Sequence, residues 1–156
     1  MRVLSSAVLV LAVLGAVGCN KPKSSDNVAA DPNDAFVQSI QGNYTCTYMA
    51  IGGRVAPAEK IKSVSPKYVV RGYVLIALSP NGGEDPISFR VDTSKKPHWA
   101  EFEEKQGLRT RKTYGLMKYE GNVLTLAMAK SENPADRPTD FQAINPVHAT
   151  IVLKRD

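Results

Sequence analysis

From Ala35 to the C-terminus, hydrophobic and polar residues alternate in short runs. Gly or Pro interrupts them so often that the longest free window is the 12 residues Asn122 to Asn133. Windows that short leave no room for long helices, and a period of two places successive side chains on opposite faces of a strand. Tyr44 to Ile51 reads as a first strand ending at Gly52-Gly53. Lys67 to Arg71 and Tyr73 to Leu78 follow, separated by Gly72, and Ser79-Pro80-Asn81-Gly82-Gly83 is a strong turn signal. In the next run Ile87, Phe89 and Val91 point one way while Ser88, Arg90 and Asp92 point the other, as in a half-buried strand. Trp99 to Glu103 is a weaker strand signal. Arg109 to Tyr119, the turn Glu120-Gly121-Asn122 and Val123 to Met128 make the clearest hairpin, and Thr150 to Lys154 is the last strand.

One short helix is expected before the first strand, with Asp34 as its cap, Phe36, Val37 and Ile40 on one face and Gly42 at its end. Pro57 to Ser65 reads equally as a helical turn or an early strand. Seven or eight strands joined mostly by short turns predict an all-β fold, a meandering antiparallel barrel or sandwich.

The first residues follow a different pattern. Val3 to Val17 is an uncharged run of 15 residues, preceded by Met1-Arg2 and followed by Gly18-Cys19. That is the layout of an export signal, and it is shorter than the roughly 20 apolar residues a spanning helix needs. Asn20 to Asn33 is rich in Lys, Pro, Ser, Asp and Asn and has no aromatic residue, the composition of a solvated tether. The division expected is therefore residues 1–18 as signal, 19–34 as anchor and tether, and 35–156 as the folded domain.

Composition sharpens this division. All eleven aromatic residues lie between Phe36 and Phe141, so the average of 43% hydrophobic residues over 156 positions blends unlike parts. The 122 residues from Ala35 onward can bury roughly two-thirds of their unfolded surface, enough for one core but not for two domains with a cleft between them. A large two-domain enzyme and a multispanning membrane protein are excluded. From Cys19 onward the chain holds 19 basic and 15 acidic residues, a net charge of +4.

Leu14-Gly15-Ala16-Val17-Gly18-Cys19 resembles a bacterial lipobox, with Ala16 where Leu is commoner. The resemblance implies cleavage before Cys19 and acyl chains on that residue, where two or more chains hold a membrane firmly; the plain alternative is an ordinary cysteine in a secretory peptide or signal anchor. Asn20 in place of Asp favours the outer membrane, facing the periplasm. With Cys19 acylated, Cys46 is the one remaining thiol and no internal disulfide can form. Its alternation with Tyr44 and Tyr48 makes it a small core residue or, alternatively, a reactive thiol.

A further resemblance is carried by an ordered series of landmarks. Gly42-Asn43-Tyr44 stands where a Gly-x-Trp opening would sit. It is followed by Ile87 to Asp92, Ser94-Lys95-Lys96-Pro97 before an aromatic, Tyr114 to Tyr119, Gly121 to Leu126, Arg137-Pro138-Thr139-Asp140-Phe141 and Val152 to Arg155. Across about Ile40 to Arg155 the chain resembles an uncharacterised lipocalin-like domain family expanded in planctomycete bacteria. The resemblance implies a small up-and-down antiparallel β-barrel of about eight strands and no established activity. It supplies no catalytic residues.

The search for chemistry is mostly negative. His98 and His148 lie far apart with no Cys or carboxylate at metal-ligand spacing, so no metal or cofactor is implied. No nucleophile elbow or phosphate-binding glycine loop occurs. Glu101, Glu103 and Glu104 could form a carboxylate pair but read more simply as a solvated strand edge. Lys95, Lys96, Arg109, Arg111 and Lys112 could form a basic patch against anionic lipid or envelope glycans, or else a solubilising outer face with Glu partners across the strand. Nothing suggests nucleic acid as a partner. Two functions remain open: a carrier holding a small apolar ligand in its barrel, with Tyr44, Tyr48, Phe89, Trp99, Leu116 and Leu126 expected to face inward, or an envelope interaction protein with a filled barrel.

Overall fold

The computed structural model describes residues 31–156; the expected signal, Cys19 and the tether up to residue 30 lie outside the described residues. The helix α1 spans Pro32–Ser39 and the strands are β1 Gly42–Ile51, β2 Arg54–Val55, β3 Lys67–Arg71, β4 Val74–Leu78, β5 Glu84–Asp92, β6 His98–Gln106, β7 Arg109–Glu120, β8 Val123–Ala129 and β9 His148–Arg155. A second helix, α2 (Ala58–Val64), lies between β2 and β3. Neighbouring strands pair antiparallel in chain order, and β9 returns to pair with β1. The two-residue β2 only extends the tip of β1, so eight strands form the closed ring. This is the up-and-down barrel the strand pattern and the resemblance implied.

Register decides which alternating set points inward. Cross-strand pairs Phe89 with Phe102, Val91 with Ala100, Met117 with Leu126 and Leu124 with Leu153 meet in the core, joined by Tyr44, Cys46, Val70 and Leu75. Among the described residues these side chains run from Val37 to Leu153. At β7, Gly115 is opposite Ala100 on one side and Met128 on the other. A Cβ there would lie 2.2 Å from the Ala127 carbonyl oxygen and 2.9 Å from the Phe102 ring, so only glycine lets the strands approach this closely.

α1 begins earlier than its sequence pattern indicated. Asp31, not Asp34, is the cap, its side chain accepting from the Asn33 amide at 2.9 Å, and Pro32 holds the first helical position. Asp34 instead accepts a hydrogen bond from the Tyr73 hydroxyl. The ambiguous stretch after Pro57 resolves as helix α2, ended by Ser65 in a left-handed conformation, and it tucks Ile61 into the core. Trp99 to Glu103, the weakest strand signal, is the middle of the nine-residue β6.

α1 is stitched to the barrel end over which it lies. Gln41 accepts from the Gly72 amide at 2.6 Å and donates to the Val37 carbonyl at 2.6 Å, tying the β3–β4 turn to the helix. Asn33 accepts from both the amide and the hydroxyl of Thr93 at 2.9 Å, tying the β5–β6 turn. Val37 and Ile40 are fully buried beneath.

Two outcomes follow from this packing. Gly115→Ala is expected to destabilise the domain by about 3 kcal/mol or more in urea unfolding, since no flexible side chain can yield at Ala127. Gly83→Ala, where the new methyl would meet the Ser79 Cβ at an ordinary 3.5 Å, stays near wild type. The bond to Asp34 pushes the Tyr73 hydroxyl up to about 12, above its ordinary 10.0. Because the folded value is the higher, this bond's stabilisation is fully present below pH 10 and is lost as pH rises toward 12. Thermal unfolding across that window should show a steeper fall for wild type than for Tyr73→Phe.

Candidate functional site

The barrel has one end closed by α1 and one end ringed by loops, and the two differ in chemistry. At the closed end Arg155, at the end of β9, points inward. Its Nη2 donates to the Ser39 carbonyl at 2.6 Å, the Gln41 carbonyl at 2.7 Å and the Tyr44 hydroxyl at 3.1 Å. The guanidinium lies 5.5 Å from the Tyr44 ring centre and 5.0 Å from that of Tyr119. Burial raises the Tyr44 hydroxyl above its ordinary range, partly offset by the bond from Arg155. This is a structural cluster in which Nη2 makes all three of these bonds, while Nε is buried without a partner.

The six expected lining residues divide between the two faces. Tyr44, Phe89 and Leu126 point into the core and fill it. Trp99 and Tyr48 instead lie on the outer face, 43% and 37% exposed. Leu116 is buried, but it too faces outward, paired with Trp99 and Ala127. The inward assignment of these three is corrected by register: Trp99 neighbours the inward Ala100, and Tyr48 follows an irregularity in the β1–β9 pairing between Cys46 and Tyr48 that moves the strand's later residues out of the earlier alternation.

What covers Leu116 is the segment between β8 and β9, residues 130–147, which runs as a strap over the outside of the barrel. Arg137 anchors it: Nη1 donates to the Ala100 and Gly115 carbonyls, both at 3.1 Å, and the guanidinium stacks 4.4 Å from the Trp99 ring centre. Further along, Phe141 accepts a bond from the Thr150 hydroxyl at 2.9 Å through its carbonyl, and Ala143 is buried. The strap explains why β8 is buried on both faces from Leu124 to Ala127. That double burial is the one sequence signal that could have revealed it, because a surface strand of the barrel has no other reason to be apolar on both sides.

At the loop-ringed end, the hollow that enters the barrel is a pit of about 160 Å³ between Ile87, Phe102, Thr113, Met128 and Ala149. Glu104 and Arg111, opposite each other on β6 and β7, stand at its rim, with Arg111 donating to the Lys130 carbonyl. Binding sites for drug-sized molecules take roughly 300–1,000 Å³, so the pit is too small to enclose one. The larger hollows lie outside the barrel, such as the 790 Å³ groove between the strap and the outer face of β1, β8 and β9.

The expected basic patch does not form as one surface. Lys95 and Lys96 sit in the β5–β6 turn at the closed end, whereas Arg109 and Arg111 are at the other end. Lys112 faces outward between Glu101 at 3.5 Å and Glu103 at 3.2 Å, which raises its pKa through the Glu103 bond first. Those two glutamates are thus ion-paired on the outer sheet face. His98 rests its ring edge against Phe36, and His148 contacts the Asp136 carbonyl at 2.9 Å. Among the described residues no three His, Cys, Asp or Glu side chains gather as a metal site.

Comparison with protein-family models, with curated proteins and with solved structures returned no match. Cys46 is free and buried, and burial pushes its thiol above the ordinary value. A thiol reagent should therefore label native protein slowly, at a rate set by unfolding, and label it fast in denaturant; rapid labelling of native protein would contradict the burial.

Proposed function

We propose that this chain is a noncatalytic envelope lipoprotein, held to a membrane through acylated Cys19, whose barrel is a solid scaffold for surface contacts rather than a carrier. The observation that carries the reading is the filled interior. Tyr44, Phe102, Met117, Leu124, Leu126 and Leu153 are almost wholly buried in the space a carrier would leave open, and α1 is bonded across one mouth. The 160 Å³ pit at the other mouth could take the end of an acyl chain but not enclose a ligand. No cluster of titratable groups with the geometry of acid–base or nucleophilic chemistry stands beside it among the described residues.

The lipobox-like segment before Cys19 and the likeness to the planctomycete lipocalin-like family support the envelope part of the reading. From Cys19 to Asp31 the chain could reach at most about 40 Å, which keeps the domain close to its membrane. The partners proposed are that membrane and an envelope component, with no nucleic acid and no cofactor.

Native mass spectrometry of protein purified from its host, together with fluorescent fatty-acid titration, tests this. The expected result is an N-terminal mass carrying acyl chains on Cys19, no co-purifying small molecule and no saturable probe binding. A stoichiometric apolar ligand would restore the carrier function. An unmodified Cys19 would remove the anchor.

A further inference from the structure

Nine large hydrophobic side chains are conspicuously exposed among the described residues, and five of them are at the end opposite α1, with a sixth, Val64, on the adjoining α2. They belong to separate segments. Ile51 and Val55 flank the β1–β2 tip, Val64 ends α2, Leu108 forms the β6–β7 tip, and Ile144 and Val147 lie in the strap just before β9. Leu108 is fully exposed at 107% and Ile144 at 73%, and neither is needed by the core. The hairpin tip Gln106-Gly107-Leu108-Arg109 thus holds a leucine out in solvent with Lys105 and Arg109 beside it.

Each apolar tip has cations next to it. Arg54 sits between Gly53 and Val55, Lys60 and Lys62 precede Val64 on α2, and Lys130 donates its amide to the Val147 carbonyl at 2.6 Å. Arg111 stands at the mouth between these groups. Acidic groups are fewer here: Glu59 is paired with Lys62 at 3.6 Å, Glu104 accepts from Gln106 at 3.1 Å, Glu132 is exposed just after Lys130, and the main acidic tip is Glu84-Asp85 on the β4–β5 side. The opposite end is different, with α1 covering it and its turns bonded to the helix.

We infer that the loops at this end form a docking surface for an anionic lipid bilayer, with Leu108 as its leading apolar anchor. Ile51, Val55 and Ile144 line hollows beside the strap, whereas Leu108 projects alone from its hairpin tip, where no concave, shape-matched patch surrounds it. Isolated apolar tips beside Lys and Arg suit the boundary between headgroups and acyl chains, where the apolar group enters and the cation meets the anionic headgroups. The inference deepens the scaffold reading and rests on it, because in a carrier the same loops would surround a ligand entrance. It does not rest on acylation of Cys19. A nine-residue strand is about 30 Å long, and a tether reaching about 40 Å lets the far end of the barrel turn back onto the membrane that holds the anchor.

The test uses the chain from Asn20 onward, which lacks Cys19 and so any acyl chain, with vesicles of phosphatidylglycerol and phosphatidylethanolamine against phosphatidylcholine alone. Co-sedimentation with the anionic vesicles at low salt, weakening as salt rises, is the expected result. Leu108→Glu should weaken binding about tenfold or more while leaving the circular dichroism spectrum and Tm at wild-type values. In Leu108→Trp, the added indole should shift to the blue and be quenched by brominated acyl chains, while the emission of Trp99 in wild type stays unchanged. Absence of binding to anionic vesicles, or binding that Leu108→Glu leaves intact, would overturn the inference. A solution dimer dissolved by Leu108→Glu, without vesicle binding, would assign the surface to a second copy instead. Saturable binding of a fatty-acid probe in solution counts against the scaffold reading alone, provided vesicle binding still depends on Leu108.

Discussion

Closure of the ring brings together Tyr44 and Arg155, 111 residues apart, and the half-buried Arg155 guanidinium stands at the join. A charge taken out of water is strongly destabilising unless its donors are met. Here Nη2 is met by carbonyls of the helix end, Ser39 and Gln41, and by the hydroxyl of Tyr44 on the first strand. One side chain therefore requires β9, β1 and α1 to be in place together. If α1 or β1 moved away, the half-buried cation would lose part of its hydrogen bonding. The contact is also costly to reach, because it is among the longest sequence separations in the fold.

Once the ring is closed it has no free edge to pair with another chain, and its interior is fixed in size. Eight strands give a barrel just wide enough for side chains to fill, and Phe89, Phe102, Met117 and their neighbours do so. Gly115 shows how little slack there is, since even a methyl group at that point would overlap the Ala127 carbonyl. A scaffold so tightly packed leaves its chemistry on the outside. The strap covers one flank, held by Arg137 between Trp99 and two strand carbonyls, and the loop end holds the exposed leucine and its cationic neighbours.

Local pattern was enough for most of the strands because their period and their turn residues agree. Gly121-Asn122 and Pro80 to Gly83 lie where the chain reverses, and Ile87, Phe89 and Val91 alternate as their burial requires. β6 was faint because its outward residues beyond Trp99 are charged and its inward ones include the small Ala100. α2 was ambiguous because a seven-residue helix has too few turns to display a period. The candidate site was less legible than the fold. Three of six expected lining residues, Tyr48, Trp99 and Leu116, face outward. Lys95 and Arg109, grouped by charge alone, stand at opposite ends of the barrel.

Taken alone, the amino-acid sequence determined that residues beyond about 35 form a β domain with short turns, a single buried-type cysteine and no recognisable catalytic constellation, because each of these depends on neighbours along the chain. Only the tertiary structure decided which alternating set faces inward, that the interior is filled, and that Leu108, Ile144 and Val55 share one end with Arg54 and Lys130. The physical reason is register. A shift of one residue in pairing exchanges the two faces of a strand, and the closure between β1 and β9 that makes one of those faces the interior is a contact no local window of sequence contains.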